Sequence, residues 1–92
     1  MIYTVKPTTK FKRDLRRAEK RGYNIDLLTV VIKKLAAGET LDVSYDDHSL
    51  IGLYKGSREC HITTDWLLIY EIANDMLILY LTSTGRHADL FE

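Results

Sequence analysis

Apolar residues recur at helical spacing in two segments near the start of the chain. The first helix is predicted from Thr8 or Thr9 to about residue 21, with a narrow apolar stripe and basic residues elsewhere. The second begins near Asn24 or Asp26 and ends before Gly38, with a wider apolar stripe. The short link between them predicts an antiparallel pair of helices.

Strand-like patterns lie on both sides of this helix pair. Five strands or extended pieces are predicted: Ile2–Val5, stopped by Pro7; a short piece over Leu50–Tyr54; two strands in the alternating and then apolar stretch Arg58–Tyr70; and Met76–Thr82. Within the long stretch, residues 63–65 are the turn between two antiparallel strands. Cys60 and Ile62 point to one face of the first of these strands, and Glu59, His61 and Thr63 point to the other. Residues 73–75 connect a hairpin, residues 83–85 break the last strand, and residues 86–92 form a tail.

The order of these elements is strand, helix, helix and then three strands. This order predicts an α+β protein, β-α-α-β-β-β, with both helices packed on one face of a mostly antiparallel sheet. The 92 residues are enough for one hydrophobic core, so we expect a single domain over residues 1–92.

Charge is distributed very unevenly along the chain. Residues 1–38 hold ten of the 13 Lys and Arg residues, whereas residues 39–92 hold ten of the 13 acids, so the zero net charge conceals a basic and an acidic half. A basic surface of this kind is typical of proteins that bind nucleic acid or an acidic partner.

The sequence contains neither a predicted membrane span nor a pair of cysteines. No apolar run approaches about 18 residues, and the start of the chain lacks an export pattern, so we expect a cytoplasmic protein without a membrane span. The lone Cys60 excludes an internal disulfide, and its position within a strand predicts a small buried side chain.

The three histidines lie in the irregular segments or at strand ends. If the last strand pairs with the strand that begins at Trp66, the tail leaves the sheet beside the turn at residues 63–65. His61, Asp65 and His87 would then share a site, with His48 reaching it from the long loop. Imidazole transfers protons well near neutral pH, so such a group can deprotonate one oxygen and protonate another.

The C-terminal half of the sequence resembles a known family. The spaced residues that carry the resemblance run from Asp47-His48 through Gly52, Gly56, Arg58, His61 and Asp65-Trp66 to Thr84-Gly85-x-His87-x-x-Leu90-Phe91. They are similar to the YafQ-type toxins of the RelE/ParE superfamily, which implies a RelE-like fold and a ribosome-dependent endoribonuclease that cleaves messenger RNA. The resemblance also implies a cognate antitoxin, whose complex with the toxin is expected to bind operator DNA through the antitoxin.

By this resemblance, the catalytic residues are His48, His61, Asp65 and His87, without a metal or cofactor. We expect His87 to be the general acid, His61 or Asp65 the general base, and His48 an orienting or stabilising group. Trp66 and Phe91 are candidates for stacking on RNA bases. The basic first helix, including Lys10, Arg13 and Arg17, is expected to bind ribosomal RNA phosphates.

The sequence departs from the family pattern at Ser83, where relatives commonly carry an arginine. A guanidinium that would stabilise the phosphate is missing there, and Arg86, Arg58 or Lys55 are the candidates to replace it. Two alternatives remain: a non-enzymatic toxin that acts by binding, like the gyrase inhibitors of the same superfamily, and a His/Asp metal site. The histidine spacings lack a compact metal-binding pattern.

Overall fold

The computed structural model describes residues 2–91 and contains three helices and five strands. Their bounds are β1 Thr4–Pro7, α1 Thr9–Lys20, α2 Ile25–Ala36, β2 His48–Ser49, β3 Arg58–Thr63, β4 Trp66–Ala73, β5 Ile78–Gly85 and α3 His87–Phe91. The predicted α+β class and the predicted order of the main elements are confirmed. None of the helices within residues 2–91 has the length and hydropathy needed to cross a membrane.

The five strands form one sheet in the order β1-β5-β4-β3-β2. Strands β2 to β5 are antiparallel to their neighbours, and β1 pairs with β5 in parallel. Leu67 of β4 lies between His61 of β3 and Gly85 of β5. The end of β5 is therefore beside the β3–β4 turn, as the sequence predicted.

Helices α1 and α2 cover one face of the sheet and bury the main core. The alternation of β3 is as predicted, because Cys60 and Ile62 both enter this core. The helices contribute Phe11 and Ala18 from α1 and Leu28, Val31 and Leu35 from α2. The same face of β4 and β5 adds Leu68, Tyr70, Leu79 and Leu81. The main core therefore lies on one face of the sheet, and Glu59, His61 and Ser83 lie on the other.

Helix α1 is fastened to β5 at two points. The Thr8 hydroxyl caps the helix by accepting the N–H of Phe11 at 3.1 Å, and it lies within hydrogen-bond distance of the β5 carbonyls of Leu81 and Thr82. Further along, the buried carboxylate of Asp14 accepts the backbone N–H of Thr84 at 3.1 Å. Because β1 ends beside Leu81, this carboxylate satisfies a donor on the part of β5 that β1 does not reach.

Several predicted boundaries were wrong. The strand β5 continues through residues 83–85, because Ser83 and Thr84 pair with β4 instead of breaking the sheet. The extended piece expected at Leu50–Tyr54 is not a strand: β2 lies just before it at His48–Ser49, and Gly52–Tyr54 forms a short helical turn. The predicted tail forms α3, and its final residue Glu92 lies outside the described residues.

Burial of Cys60 leads to a test of the packing. The side chain is fully buried in the core, and burial raises the pKa of the thiol to about 12. Almost no thiolate is present at pH 8, so we expect the native protein to resist a disulfide reagent such as DTNB. Addition of denaturant should make the thiol react rapidly. Rapid labelling of the folded protein at pH 8 would contradict this packing.

Candidate active site

The face of the sheet opposite α1 and α2 carries two rows of residues that run across the strands. The first row joins His48, Glu59, Ile69 and Ser83 on four successive strands. The second row joins His61, Leu67 and Gly85. Cross-strand partners project to the same side of a sheet, and so do residues two apart on one strand. His48, Glu59 and His61 are therefore neighbours on one surface.

The carboxylate of Glu59 lies between the two imidazoles. Its Oε2 is 3.1 Å from Nε2 of His48 and 3.8 Å from Nε2 of His61. The Glu59 side chain is only 9% exposed, whereas His48 and His61 are 44% and 29% exposed. A nearly buried carboxylate thus holds two imidazoles that remain accessible to a substrate.

Asp46 completes this cluster from the loop before β2. Its backbone carbonyl is 2.7 Å from Nδ1 of His48, and its carboxylate Oδ2 is 3.6 Å from Nε2 of His61. A carbonyl can only accept a hydrogen bond, so Nδ1 of His48 carries the proton. The opposite nitrogen, Nε2, faces the carboxylate of Glu59.

An open cleft of about 580 Å³ lies beside this cluster. Its lining includes Asp46, His61, Tyr45 and Thr64. The Nδ1 atom of His61 is 3.4 Å from the carbonyl of Thr64, which orients the ring at the cleft wall. The cleft lies in the size range of sites that bind small organic molecules and is large enough for a nucleotide.

His87 begins α3, two residues after Gly85. Gly85 is two strands away from His61, a separation of about 10 Å between the strand backbones. The His87 side chain is exposed and its ring centroid is 4.9 Å from that of Phe91. Phe91 in turn meets the ring of Tyr54 edge-on at 5.2 Å. His87 is therefore held on a short helix that starts next to the row containing His61.

Asp65 and Trp66 lie apart from the histidine cluster. Asp65 is exposed in the β3–β4 turn, makes no hydrogen bond or ion pair with other residues in 2–91, and lines a second cleft of about 200 Å³ with Tyr23 and Asn24. Trp66 is 3% exposed, packs 4.9 Å from the Tyr23 ring and donates its indole N–H to Thr84. Because the Trp66 ring is buried in the core, little of its surface is available for stacking on a base.

The predicted phosphate-binding residues of α1 differ in whether they form ion pairs with other residues. Lys10 and Arg17 both pair with Asp14, at 3.0 and 3.3 Å, but their side chains remain 49% and 40% exposed. Arg13 is exposed and has no ion pair within residues 2–91. All three can still contact a phosphate from the solvent side of the helix.

Ser83 occupies the first row of the site, where it is 4% exposed. The three basic residues considered as replacements for an arginine here are placed differently. Arg58 binds Asp47 and Ser49 and projects towards the helix-covered face with Tyr70. Arg86 lies against Asp89 at 3.5 Å, and Lys55 is exposed in the loop before β3. Arg58 therefore does not replace the missing guanidinium.

Sequence reasoning missed Glu59 and Asp46 as members of the site. A signal for Glu59 was present, because it precedes His61 by two residues on the same face of a strand. No such signal existed for Asp46, which reaches the cluster through a loop with a left-handed backbone at φ 47°. Within residues 2–91 these acids and histidines do not form a group suited to holding a metal ion.

Comparison with known proteins shows which sequences this chain resembles. Residues 3–92 match the family described as bacterial toxin of type II toxin-antitoxin system, YafQ. The mRNA interferase toxin YafQ of Escherichia coli K12 is 34% identical over 83 residues, which cover 89% of this chain and 88% of that protein.

Solved structures show the same fold. The crystal structure of YafQ from E. coli BL21(DE3) superposes with a TM-score of 0.92 at 30% identity, covering 98% of this chain and 99% of the other. YafQ in the E. coli DinJ-YafQ toxin-antitoxin complex superposes with a TM-score of 0.90 at 30% identity over the full length of both chains.

Proposed function

This chain belongs to the YafQ family of bacterial type II toxins, and on that premise we propose that it is a ribosome-dependent endoribonuclease that cleaves messenger RNA. One observation carries the proposal. His48 and His61 converge on Glu59, and His61 also lines an open cleft. The helix of His87 begins beside the same face of the sheet. A protein that only binds a partner does not require the imidazoles of His48, His61 and His87 to lie on one side of the sheet.

The proposed reaction uses the RNA's own ribose. The 2′-oxygen attacks the adjacent phosphorus while the bond from phosphorus to the 5′-oxygen breaks. A base accepts the 2′-hydroxyl proton and an acid donates a proton to the departing 5′-oxygen. The products are a 2′,3′-cyclic phosphate and a 5′-hydroxyl, so no water is consumed in this step.

His61 is the better placed of the two candidate bases. Its Nε2 lies at the cleft, 3.6 Å or more from the nearest carboxylate oxygens, so the neutral ring can offer this nitrogen to a substrate hydroxyl. Asp65 lines the separate cleft and would need the RNA to bend round the β3–β4 turn. We therefore assign His61 as the base and retain Asp65 as a substrate-contacting residue.

His48 is proposed to stabilise the charge that develops on the phosphoryl oxygens. Its contacts with Glu59 and the Asp46 carbonyl hold the ring at a fixed orientation. A preoriented hydrogen-bond donor at the place where negative charge develops is an effective stabiliser of the transition state. This role matters more here because Ser83 supplies no guanidinium.

Two macromolecular contacts complete the proposal. The exposed cations of α1 bind ribosomal RNA through phosphate charge without sequence selection. A cognate antitoxin neutralises the toxin, by analogy with YafQ of E. coli, which forms a complex with DinJ.

The proposal is tested with purified toxin and ribosomes programmed with a defined messenger RNA. We expect cleavage on the ribosome and little cleavage of the free RNA, with 5′-hydroxyl and cyclic phosphate ends. A single 2′-deoxynucleotide at the mapped cleavage position should abolish the reaction, because the nucleophile is removed. The same replacement one nucleotide away is the matched control and should leave cleavage intact.

A different result would favour the binding alternative. Growth inhibition by the toxin without new RNA ends, or products carrying 5′-phosphates, would exclude the proposed chemistry. Retention of inhibition in a His61→Ala variant would support a toxin that acts by binding alone.

A further inference from the structure

Helix α3 carries His87 but is too short to be stable by itself. It contains five residues, whereas isolated helices shorter than about 12 residues are marginal in water. Its position therefore depends on contacts with the rest of the protein. One such contact is the aromatic pair of Phe91 and Tyr54, and another is an ion pair with α1.

The ion pair joins Arg21, directly after α1, to Asp89 in α3. Nη1 of Arg21 donates to Oδ2 of Asp89 at 2.6 Å, and Nη2 donates to Oδ1 at 3.1 Å. The two side chains are 29% and 11% exposed, so they are partly shielded from water. A two-bond guanidinium–carboxylate contact fixes direction as well as distance.

Asp89 also defines where α3 begins. Its Oδ2 accepts the backbone N–H of Arg86 at 2.9 Å, and its own N–H donates to the Arg86 carbonyl at 2.9 Å. This reciprocal pair fixes the backbone immediately before His87. The same carboxylate therefore shapes the start of α3 and fastens the helix to α1.

Arg21 is thus distinct from the solvent-facing cations of α1. Hydrogen bonds from Arg21 lower the pKa of the Asp89 carboxyl well below its usual range, so the ion pair persists at any pH near neutrality. Arg16, five residues earlier, is exposed and has no ion pair within residues 2–91.

We propose that Arg21 and Asp89 are positioning residues that hold His87 at the distance from His61 that RNA cleavage requires. This inference rests on the proposed function, because it assigns His87 to the chemistry. It links the helix expected to bind the ribosome directly to the helix that carries the acid. Removal of the ion pair should leave substrate binding intact but lower the rate at which the ribosome-bound toxin cleaves RNA.

The test compares Arg21→Ala, Asp89→Asn and the double variant with Arg16→Ala as the matched control. In single-turnover cleavage on ribosomes, each variant that breaks the ion pair should lose about tenfold in maximal rate, since small displacements of a reacting group cost at least this much. The half-saturating concentration should stay near that of wild type. The double variant should be no slower than the slower single variant, because one interaction is lost. Arg16→Ala should instead raise the half-saturating concentration alone.

A second measurement does not depend on cleavage. Backbone order parameters for residues 87–91 should fall from about 0.85 to below about 0.6 in both single variants and stay unchanged in Arg16→Ala. An unchanged maximal rate in Arg21→Ala, or a loss confined to the half-saturating concentration, would overturn the inference. If the wild-type protein does not cleave RNA, the proposed function fails. In that case the order parameters alone test whether the ion pair positions α3, and unchanged values in the variants refute that role.

Discussion

Replacement of His87 by alanine should lower the single-turnover rate of RNA cleavage by about 10²–10⁴-fold, the range usual for loss of a general acid or base. Without the imidazole, the 5′-oxygen must leave as an unprotonated alkoxide. Binding to ribosomes and to the antitoxin should change little, because the His87 side chain is exposed and lies outside the core. The measurement is cleavage of messenger RNA on ribosomes with toxin in excess.

A modified substrate distinguishes loss of the acid from a displaced helix. When sulfur replaces the 5′-oxygen at the cleavage position, the leaving group departs without a proton. The His87→Ala variant should then approach the wild-type rate. A defect of equal size on the oxygen and sulfur substrates would show that His87 is not the acid.

Replacement of Thr84 by valine is expected to have the largest effect on stability. The Thr84 hydroxyl is fully buried, donates to the Leu67 carbonyl at 2.6 Å and accepts the Trp66 indole N–H at 2.9 Å. Valine keeps the shape but leaves these buried groups without their partner. We expect the free energy of unfolding to fall by about 2–4 kcal/mol, since each unsatisfied buried group costs about 1–3 kcal/mol. Urea denaturation measures this change.

The control for this prediction lies two residues earlier in the same strand. The hydroxyl of Thr82 makes no hydrogen bond within residues 2–91, so Thr82→Val should change stability by less than about 0.5 kcal/mol. Adding Trp66→Phe to Thr84→Val removes the orphaned N–H, and the two losses should then be less than additive. Equal destabilisation by the two valine variants would refute the proposed role of this hydroxyl.

Local sequence patterns were sufficient to predict the helices and strands that depend mainly on neighbouring residues. The helical stripe containing Leu28, Val31 and Leu35 predicted α2, and the alternation around Cys60 and Ile62 correctly predicted which side of β3 is buried. The uncharged apolar runs predicted strands over the first part of β4 and most of β5. The spaced motif in the C-terminal half identified the family, which the comparison with known proteins confirms.

The end of β5 shows where such patterns fail. Ser83, Thr84 and Gly85 form a cluster of small polar residues and glycine of the kind that usually marks a loop, and the sequence predicted a break there. In the structure they are buried and paired with β4, and the carboxylate of Asp14 satisfies a free donor of Thr84 from a helix 70 residues away. Long-range hydrogen bonds and burial therefore outweighed local preference.

The sequence by itself determined the α+β class, the buried face of β3, the basic character of α1 and the identity of the three histidines. Only the tertiary structure decided that Glu59 joins His48 to His61, that Asp65 lines a separate cleft and that Arg21 holds the helix of His87. The physical reason is that alternation along a strand sets the face on which a side chain projects, whereas its partners depend on register and loop closure. Strand β2 contributes only two residues, so no local pattern specifies the pairing that brings His48 opposite Glu59.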